Sequence, residues 1–353
     1  MPIRVLVVDD SLVMCSALSK FVQSDAALAL IGTAKNGQEA LDLIAKEKPD
    51  VVTLDVEMPV LDGLSTLKRL KAGTPPTPAV LMCSTLTVKG SKESLEALKL
   101  GAADFIAKNT ASDAMEAFGR EYLAKVKGIA PRPGVAPRPP FGTPACLATA
   151  RRDVVLIGSS TGGPPILEEV LAALPAGFPV PIVVAQHMPA LFTKMLAERL
   201  SANCAVRVVH AEPGMPLAPG MAYIGPGGQH VRVARWSSGR YALEVSDRPR
   251  EALYKPSVDE LFASGAAAAG ARCAAVVLTG MGEDGLRGGR AIKEAGGAIV
   301  TQSARTCAVY GMPRAINDAG IASASLDPKQ IGQAIAALGR PSPALAETTG
   351  GTP

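Results

Sequence analysis

Three residues far apart in the 353-residue chain carry the groups that acyl transfer requires: a hydroxyl at Ser160, an imidazole at His187 and a carboxylate at Asp284. Ser160 is the central residue of a G-x-S-x-G turn, "GSSTG", whose small neighbours let the backbone bend sharply enough to hold a hydroxyl out on a strand-to-helix corner. The same glycines do not make a nucleotide cradle. "GSSTGGPPILEEV" runs into prolines and glutamates where a phosphate loop needs Lys followed by Ser or Thr. A serine hydroxyl needs a base, and the chain has three histidines. His187 follows the apolar "PIVVAQ" and precedes "MPALFTKMLAERL", with Pro189 in the first turn of a predicted helix, so it falls at a strand's carboxyl end as Ser160 does. His210 ends another apolar run and competes for the role, while His230 lies in a Gly-rich stretch and is expected to be structural or exposed. For the acid that orients the base, "AAVVLTGMGEDGLRGG" offers Asp284, with Glu283 as the alternative and a helix N-cap as the plain structural reading.

A second constellation occupies the first third of the chain. Asp9 and Asp10 follow the first apolar run, Asp55 ends the third, Ser84 the fourth and Lys108 the fifth. In a parallel sheet all five meet at the carboxyl edge, where open α/β sheets bind ligands. Three carboxylates in one place demand a cation. Mg²⁺ suits them, because it takes a few carboxylates and keeps its remaining positions for water or phosphate oxygens. With the hydroxyl of Ser84 and the ammonium of Lys108 on the same rim, the cluster is built to hold a phosphoryl group.

The elements that must position both sets follow from hydrophobic alternation. Strand-like "IRVLVV", "LALIGT", "VVTLD", "AVLMC" and "ADFIA" alternate with helix-like segments, which predicts five β/α units across residues 1–127. Residues 128–150 are proline-rich and patternless, the composition of a semi-rigid tether. Alternation resumes over 151–339 with "VVLIG", "PIVVAQ", "AVRVVH", "AAVVLTG" and "GAIVTQ". It is interrupted by "MAYIGPGGQHVRVARWSSGRYALEVSD", expected to be an antiparallel insertion. Residues 340–353 have little that packs and are expected to be disordered. The predicted fold class is therefore α/β, with two doubly wound parallel sheets.

Composition narrows the function classes. A formal net charge of +4 with 19% charged residues, scattered rather than clustered, gives neither a nucleic-acid footprint nor a membrane-binding patch. Residues 151–339 hold no basic cluster of the kind a DNA-recognition helix needs. The six cysteines form no C-x-x-C pair, as expected for reduced thiols and a cytoplasmic location, and "MPIRVLVVDD" lacks the apolar length of a signal peptide or membrane span.

Residues 1–127 resemble a two-component receiver, flavodoxin-like in fold, on the strength of Asp9, Asp10, the block "LDVEMPVLDG", Ser84 and Lys108. The resemblance implies that Asp55 accepts the phosphoryl group and that Mg²⁺ is held by Asp9, Asp10, Asp55 and the main-chain carbonyl of Glu57. Asn109 departs from it, standing where receivers have a cis proline after the lysine. The segments "GSSTGGPP", "QHMPALFT", "YKPSVDELF", "LTGMGEDG" and "YGMPRAI" resemble, in order and spacing, the catalytic domain of the chemotaxis protein-glutamate methylesterases. That resemblance implies Ser160 as nucleophile, His187 as general base, Asp284 as orienting acid, and Thr161 and Met281 as residues lining the active site. It also implies hydrolysis of glutamate methyl esters and deamidation of glutamines on methyl-accepting chemotaxis receptors, with a chemotaxis histidine kinase as phosphodonor. In such proteins the unphosphorylated receiver covers the catalytic cleft. Within "YKPSVDELF", Ser257 and Glu260 read as a capping box, with Val258, Leu261 and Phe262 as a packed face.

Overall fold

Runs of aliphatic and β-branched residues bounded by Gly, Asp or Pro become the strands of two parallel sheets in the computed structural model, which describes residues 1–73, 77–85, 87–108, 115–131 and 138–339. The chain divides into two compact units, Met1–Ala136 and Pro137–Pro353. Asn109 and the tail 340–353 lie outside the described residues.

In the first unit, strands β1 (Ile3–Val8), β2 (Leu28–Ala34), β3 (Val51–Asp55), β4 (Ala79–Thr85) and β5 (Asp104–Lys108) form one sheet in the order β2-β1-β3-β4-β5. Every pairing in it is parallel. Helices α1 (Leu12–Gln23), α2 (Gly37–Glu47), α3 (Gly63–Ala72), α4 (Val88–Lys99) and α5 (Met115–Ile129) supply the crossovers. The first four begin where a polar side chain, Ser11, Asn36, Asp62 or Thr87, accepts an otherwise orphaned amide of the first turn. Each such cap stabilises by about 1 kcal/mol. The strand order reverses direction at β1 and β3, which opens a crevice at their carboxyl ends. Asp9, Asp10 and Asp55 stand there.

In the second unit, β6 (Val154–Ser159), β7 (Ile182–Gln186), β8 (Arg207–His210), β9 (Met221–Ile224), β12 (Cys273–Val277), β13 (Ala298–Gln302) and β14 (Ala324–Leu326) form a parallel sheet in the order β14-β13-β12-β6-β7-β9-β8. The strands β10 (His230–Arg235) and β11 (Tyr241–Ser246) pair antiparallel as a separate two-stranded sheet. The insertion is thus shorter than expected. "MAYI" belongs to the main sheet, where Ala222, Tyr223 and Ile224 are buried, as parallel strands require. Parts of the expected tether are also structured: α5 runs to Ile129, Phe141 bridges to Ser325 beside β14, and Leu147 is buried.

Helices α6 (Gly163–Ala172), α7 (Ala190–Asn203), α8 (Val258–Ala269), α9 (Leu286–Glu294), α10 (Met312–Asp318) and α11 (Pro328–Ala336) complete the unit. Of these, α8 matters most for the site. The β10–β11 hairpin lies over it, so that Val231, Val233 and Leu243 join Leu261, Phe262 and Leu156 in one core. The hairpin and the sheet together clamp the helix. Its start approaches the sheet closely because the penultimate residue of β6 is a glycine: a Cβ on Gly158 would lie 2.2 Å from Cγ1 of Val258. A methyl group there meets a β-branched side chain with little freedom to move. Gly158→Ala is therefore expected to displace the first turn of α8 and to lower stability by about 1–3 kcal/mol. Urea unfolding followed by fluorescence of the sole tryptophan, Trp236, measures the change.

Candidate active site

Ser160 leaves the carboxyl end of β6 on a turn held from both sides. Its N–H donates to the Thr279 carbonyl (3.0 Å), and its own carbonyl accepts from Gly163 N (2.9 Å) and from Nε2 of the buried Gln186 (2.9 Å). Gly162 turns the chain with φ 75°, a conformation open to glycine. Gly280 lets the strand beside it come close, since a Cβ at that position would lie 2.8 Å from Cβ of Ser160. His187 follows β7, and its N–H donates to the Ser159 carbonyl (3.0 Å), which ties it to the strand that leads to Ser160. Its ring bridges the other two groups, with Nδ1 3.1 Å from Ser160 Oγ and Nε2 2.8 Å from Asp284 Oδ2. The ring of Tyr254 stacks on it at 4.2 Å between centroids, inclined by 11°.

Asp284 lies against the N-terminus of α8. Oδ1 accepts from Ser257 Oγ (3.0 Å) and Asp259 N (2.9 Å), and Oδ2 accepts from Val258 N (2.8 Å) as well as from the imidazole. Burial raises this carboxyl. The His187 ring and the amides of Asp259 and Val258 outweigh burial and hold it below the usual carboxylate value. An ionised Asp284 requires a proton on Nε2, which leaves the Nδ1 lone pair facing the serine hydroxyl. The orientation is the reverse of the serine-protease template, in which Nε2 faces the serine, but the proton inventory is the same. Asp259 returns the favour to Asp284's own segment, accepting from Gly285 N (3.0 Å) and Gly288 N (2.8 Å) at the start of α9. Each helix start is thus met by a carboxylate from the other's: Asp284, in the loop before α9, serves α8, and Asp259, in the first turn of α8, serves α9.

In the first unit, the carboxylate oxygens of Asp9, Asp10 and Asp55 all lie within 4.8 Å of one another. Lys108 Nζ sits 2.8 Å from both Asp9 Oδ2 and Asp55 Oδ2. One ammonium against three carboxylates leaves negative charge uncompensated, and burial pushes the Asp55 carboxyl up in spite of Lys108. For the lysine, burial works against the charge, but Asp55 and Asp9 outweigh it and raise the value. This cluster of hard oxygen donors, short of positive charge, fits Mg²⁺. Asp10, Asp55, Glu57, Ser84 and Lys108 line a cavity of about 290 Å³. The Ser84 hydroxyl is turned toward α4 and donates to the Gly90 carbonyl (3.0 Å).

The profile of the CheB methylesterase family matches residues 155–335, and that of the response regulator receiver domain matches residues 5–118. The chain is 47% identical over 365 residues to protein-glutamate methylesterase/protein-glutamine glutaminase 1 of Oleidesulfovibrio alaskensis, covering 94% of this chain and 98% of the relative. The chain belongs to the CheB methylesterase family. A Pseudomonas aeruginosa protein-glutamate methylesterase/protein-glutamine glutaminase 2 is 43% identical over 342 residues, covering 95% of this chain and 96% of the relative. The crystal structure of the Thermotoga maritima CheB methylesterase catalytic domain superposes with a TM-score of 0.52 at 36% identity, covering 54% of this chain and all of that domain.

In this CheB-family chain the other expected residues fall in varied places. Glu283 is exposed on the rim of the cavity beside Asp284 and does not touch His187 in any hydrogen bond. His210 bonds to Thr193 Oγ1 (3.2 Å), away from the serine, and His230 is fully buried. Asp284 does not cap the helix that follows it, since Gly285 holds that position. Thr161 is buried, its carbonyl accepting from Thr279 Oγ1 (2.9 Å), and Met281 is half-buried next to Gly280. Half of the expected capping box is present: Ser257 Oγ accepts from Glu260 N (3.3 Å), while the Glu260 carboxylate pairs with Arg232 (2.6 Å). Sequence reasoning missed Gln186, Tyr254, Asp259 and Gly280. Gln186 carried a usable signal, a polar residue closing an apolar strand directly before the histidine.

Two measurements check these sites. Asp284→Asn removes the charge that fixes the His187 tautomer, and kcat for ester hydrolysis is expected to fall roughly 10²- to 10⁴-fold. Calorimetry of the full chain is expected to show Mg²⁺ stabilising the first unit, by about 2.7 kcal/mol at a hundredfold excess over its Kd. Asp10→Asn is expected to remove most of that gain.

Proposed function

We propose that the second unit hydrolyses γ-methyl esters of glutamate side chains on methyl-accepting chemotaxis receptors, releasing methanol, and deamidates receptor glutamines by the same route. Family membership supports the substrate class. The observation that carries the mechanism is the hydrogen-bonded row from Ser160 through His187 to Asp284.

In this mechanism Ser160 Oγ attacks the ester carbonyl while His187 Nδ1 takes its proton. The imidazolium so formed is stabilised by Asp284, which stays ionised, and the tetrahedral oxyanion is met by main-chain amides near Thr161 and Met281. Such donors contribute roughly 10²- to 10³-fold each. Collapse breaks the bond to methoxide, which leaves as methanol with the proton from Nδ1. Water then gives a proton to Nδ1 and attacks the acyl-enzyme. Ser160 departs with that proton, and the glutamic acid side chain so formed gives its remaining proton to solvent and is released as the carboxylate. For a glutamine the leaving group is ammonia. Tyr254, stacked on the imidazole, keeps bulk water from one ring face and limits its rotation.

The first unit is the control element. Asp55 accepts a phosphoryl group from a chemotaxis histidine kinase in the cytoplasm, and Asp9, Asp10, Asp55 and the Glu57 carbonyl hold Mg²⁺. When bound, the ion neutralises charge on the incoming phosphoryl oxygens. Lys108, already between Asp9 and Asp55, follows the added charge, and the strand ends that carry Ser84 and Lys108 transmit the change.

Methanol release from methylated receptor membranes tests both parts. The wild-type chain is expected to release methanol faster with a small-molecule phosphodonor and Mg²⁺ than without, and Ser160→Ala to release none above background. Unchanged release by Ser160→Ala refutes the nucleophile, and equal rates with and without phosphodonor refute the control.

A further inference from the structure

We propose that His230 is a positioning residue of the active site, holding the turn at Ser257 that in turn holds Asp284. The inference rests on the Ser160–His187–Asp284 row. Both ring nitrogens of His230 are engaged: Nε2 lies 3.1 Å from the Pro249 carbonyl, and Nδ1 lies 3.2 Å from the amide nitrogen of Ser257. A carbonyl only accepts and an amide N–H only donates, so Nε2 carries the proton and Nδ1 has none. The ring is a neutral imidazole in one fixed tautomer, fully buried at the first residue of β10.

Ser257 is the next link. Its amide donates to His230, its hydroxyl donates to Asp284 Oδ1 (3.0 Å), and the two amides that follow, at Val258 and Asp259, donate to the same carboxylate. A continuous path of hydrogen bonds therefore runs from the Pro249 carbonyl through His230, Ser257, Asp284 and His187 to the Ser160 hydroxyl. The hairpin that begins at His230 contributes no group to the chemistry. Its contribution is the angle at which the N-terminus of α8 meets the acid. One further main-chain bond, Gly228 N to the Lys255 carbonyl (3.0 Å), ties the same two segments. That bond does not reach Ser257, whose remaining ties are to Asp284 and to the amides of Glu260 and Leu261 in the first turn of α8.

A second proton on His230 places an N–H against the Ser257 N–H and breaks the path. Burial opposes that proton most strongly. The Pro249 carbonyl and Glu260 favour it, and Arg232 and Lys255 oppose it, with the balance lowering the value below that of an ordinary histidine. A depressed folded-state value means that the contact is intact at neutral pH and is lost as acid takes the ring through its own titration.

The test compares the full-length chain with His230→Phe, which fills the space and removes both hydrogen bonds, and His230→Asn, whose amide oxygen still accepts from Ser257 N–H. The readouts are the rate at which a fluorophosphonate labels Ser160, and kcat and KM for methanol release from methylated receptor membranes, from neutral down to about pH 5. Circular dichroism and Trp236 fluorescence report folding. His230→Phe is expected to slow labelling and kcat by roughly 10²-fold, the scale of a misplacement of about 1 Å, with KM changed less than about twofold. His230→Asn is expected to recover roughly tenfold of that loss. A folded His230→Phe chain that labels at the wild-type rate overturns the proposal, as do equal losses in the two variants. Should His230→Phe not fold, the folded His230→Asn chain decides: labelling at the wild-type rate overturns the proposal, and labelling roughly tenfold slower with KM nearly unchanged supports it. A wild-type chain that labels at Ser160 but releases no methanol refutes the receptor reading alone, because the labelling rates still judge His230.

Discussion

A buried negative charge at the start of one helix organises the catalytic unit. Taking a carboxylate out of water costs several kcal/mol, and Asp284 bears that cost because three donors from Ser257, Val258 and Asp259 converge on it before the imidazole is counted. Hydrogen bonds to a charged group contribute about 1.5–3 kcal/mol each, and the helix dipole adds up to about 2 kcal/mol in a partly buried setting. The acid is therefore already ionised and oriented when the histidine meets it. What the imidazole receives is a fixed tautomer, and what the serine receives is a lone pair at the right place.

The receiver solves a different electrostatic problem with the same sheet geometry. Its carboxylates also gather at the carboxyl ends of parallel strands, but they are left short of positive charge, and Lys108 alone does not relieve the burial of Asp55. In the catalytic unit the charge of Asp284 is met by protein donors. In the receiver the deficit leaves a site whose donors fit a cation. Closed compensation suits a permanent catalyst, and open compensation suits a switch.

Much of this was legible in the sequence, for a physical reason. Parallel strands buried on both faces are written as uninterrupted apolar runs, and residues that end such runs must meet at one edge, so Ser160, His187, Asp284 and the receiver set could be placed before any coordinates. The pattern failed where it is weak. "MAYI" was read into the antiparallel insertion because glycines follow it closely, and β14, at three residues, is too short to show a period. Tyr254 and Asp259 were missed because they act across segments: a stacking ring in a loop and an acid in a helix's first turn look like ordinary surface choices until the hairpin folds α8 over the sheet.

The exchange of carboxylates between the starts of α8 and α9 has an evolutionary corollary. Because Asp284 secures α8 while Asp259 secures α9, both acids are demanded by architecture whether or not any ester is ever cleaved. A descendant that abandoned hydrolysis to become a scaffold would be free to discard its serine and its imidazole long before it could discard that aspartate. Among chains of this shape, the persistence of the acid is thus a poor witness to living chemistry, and the hydroxyl and the ring are the better ones.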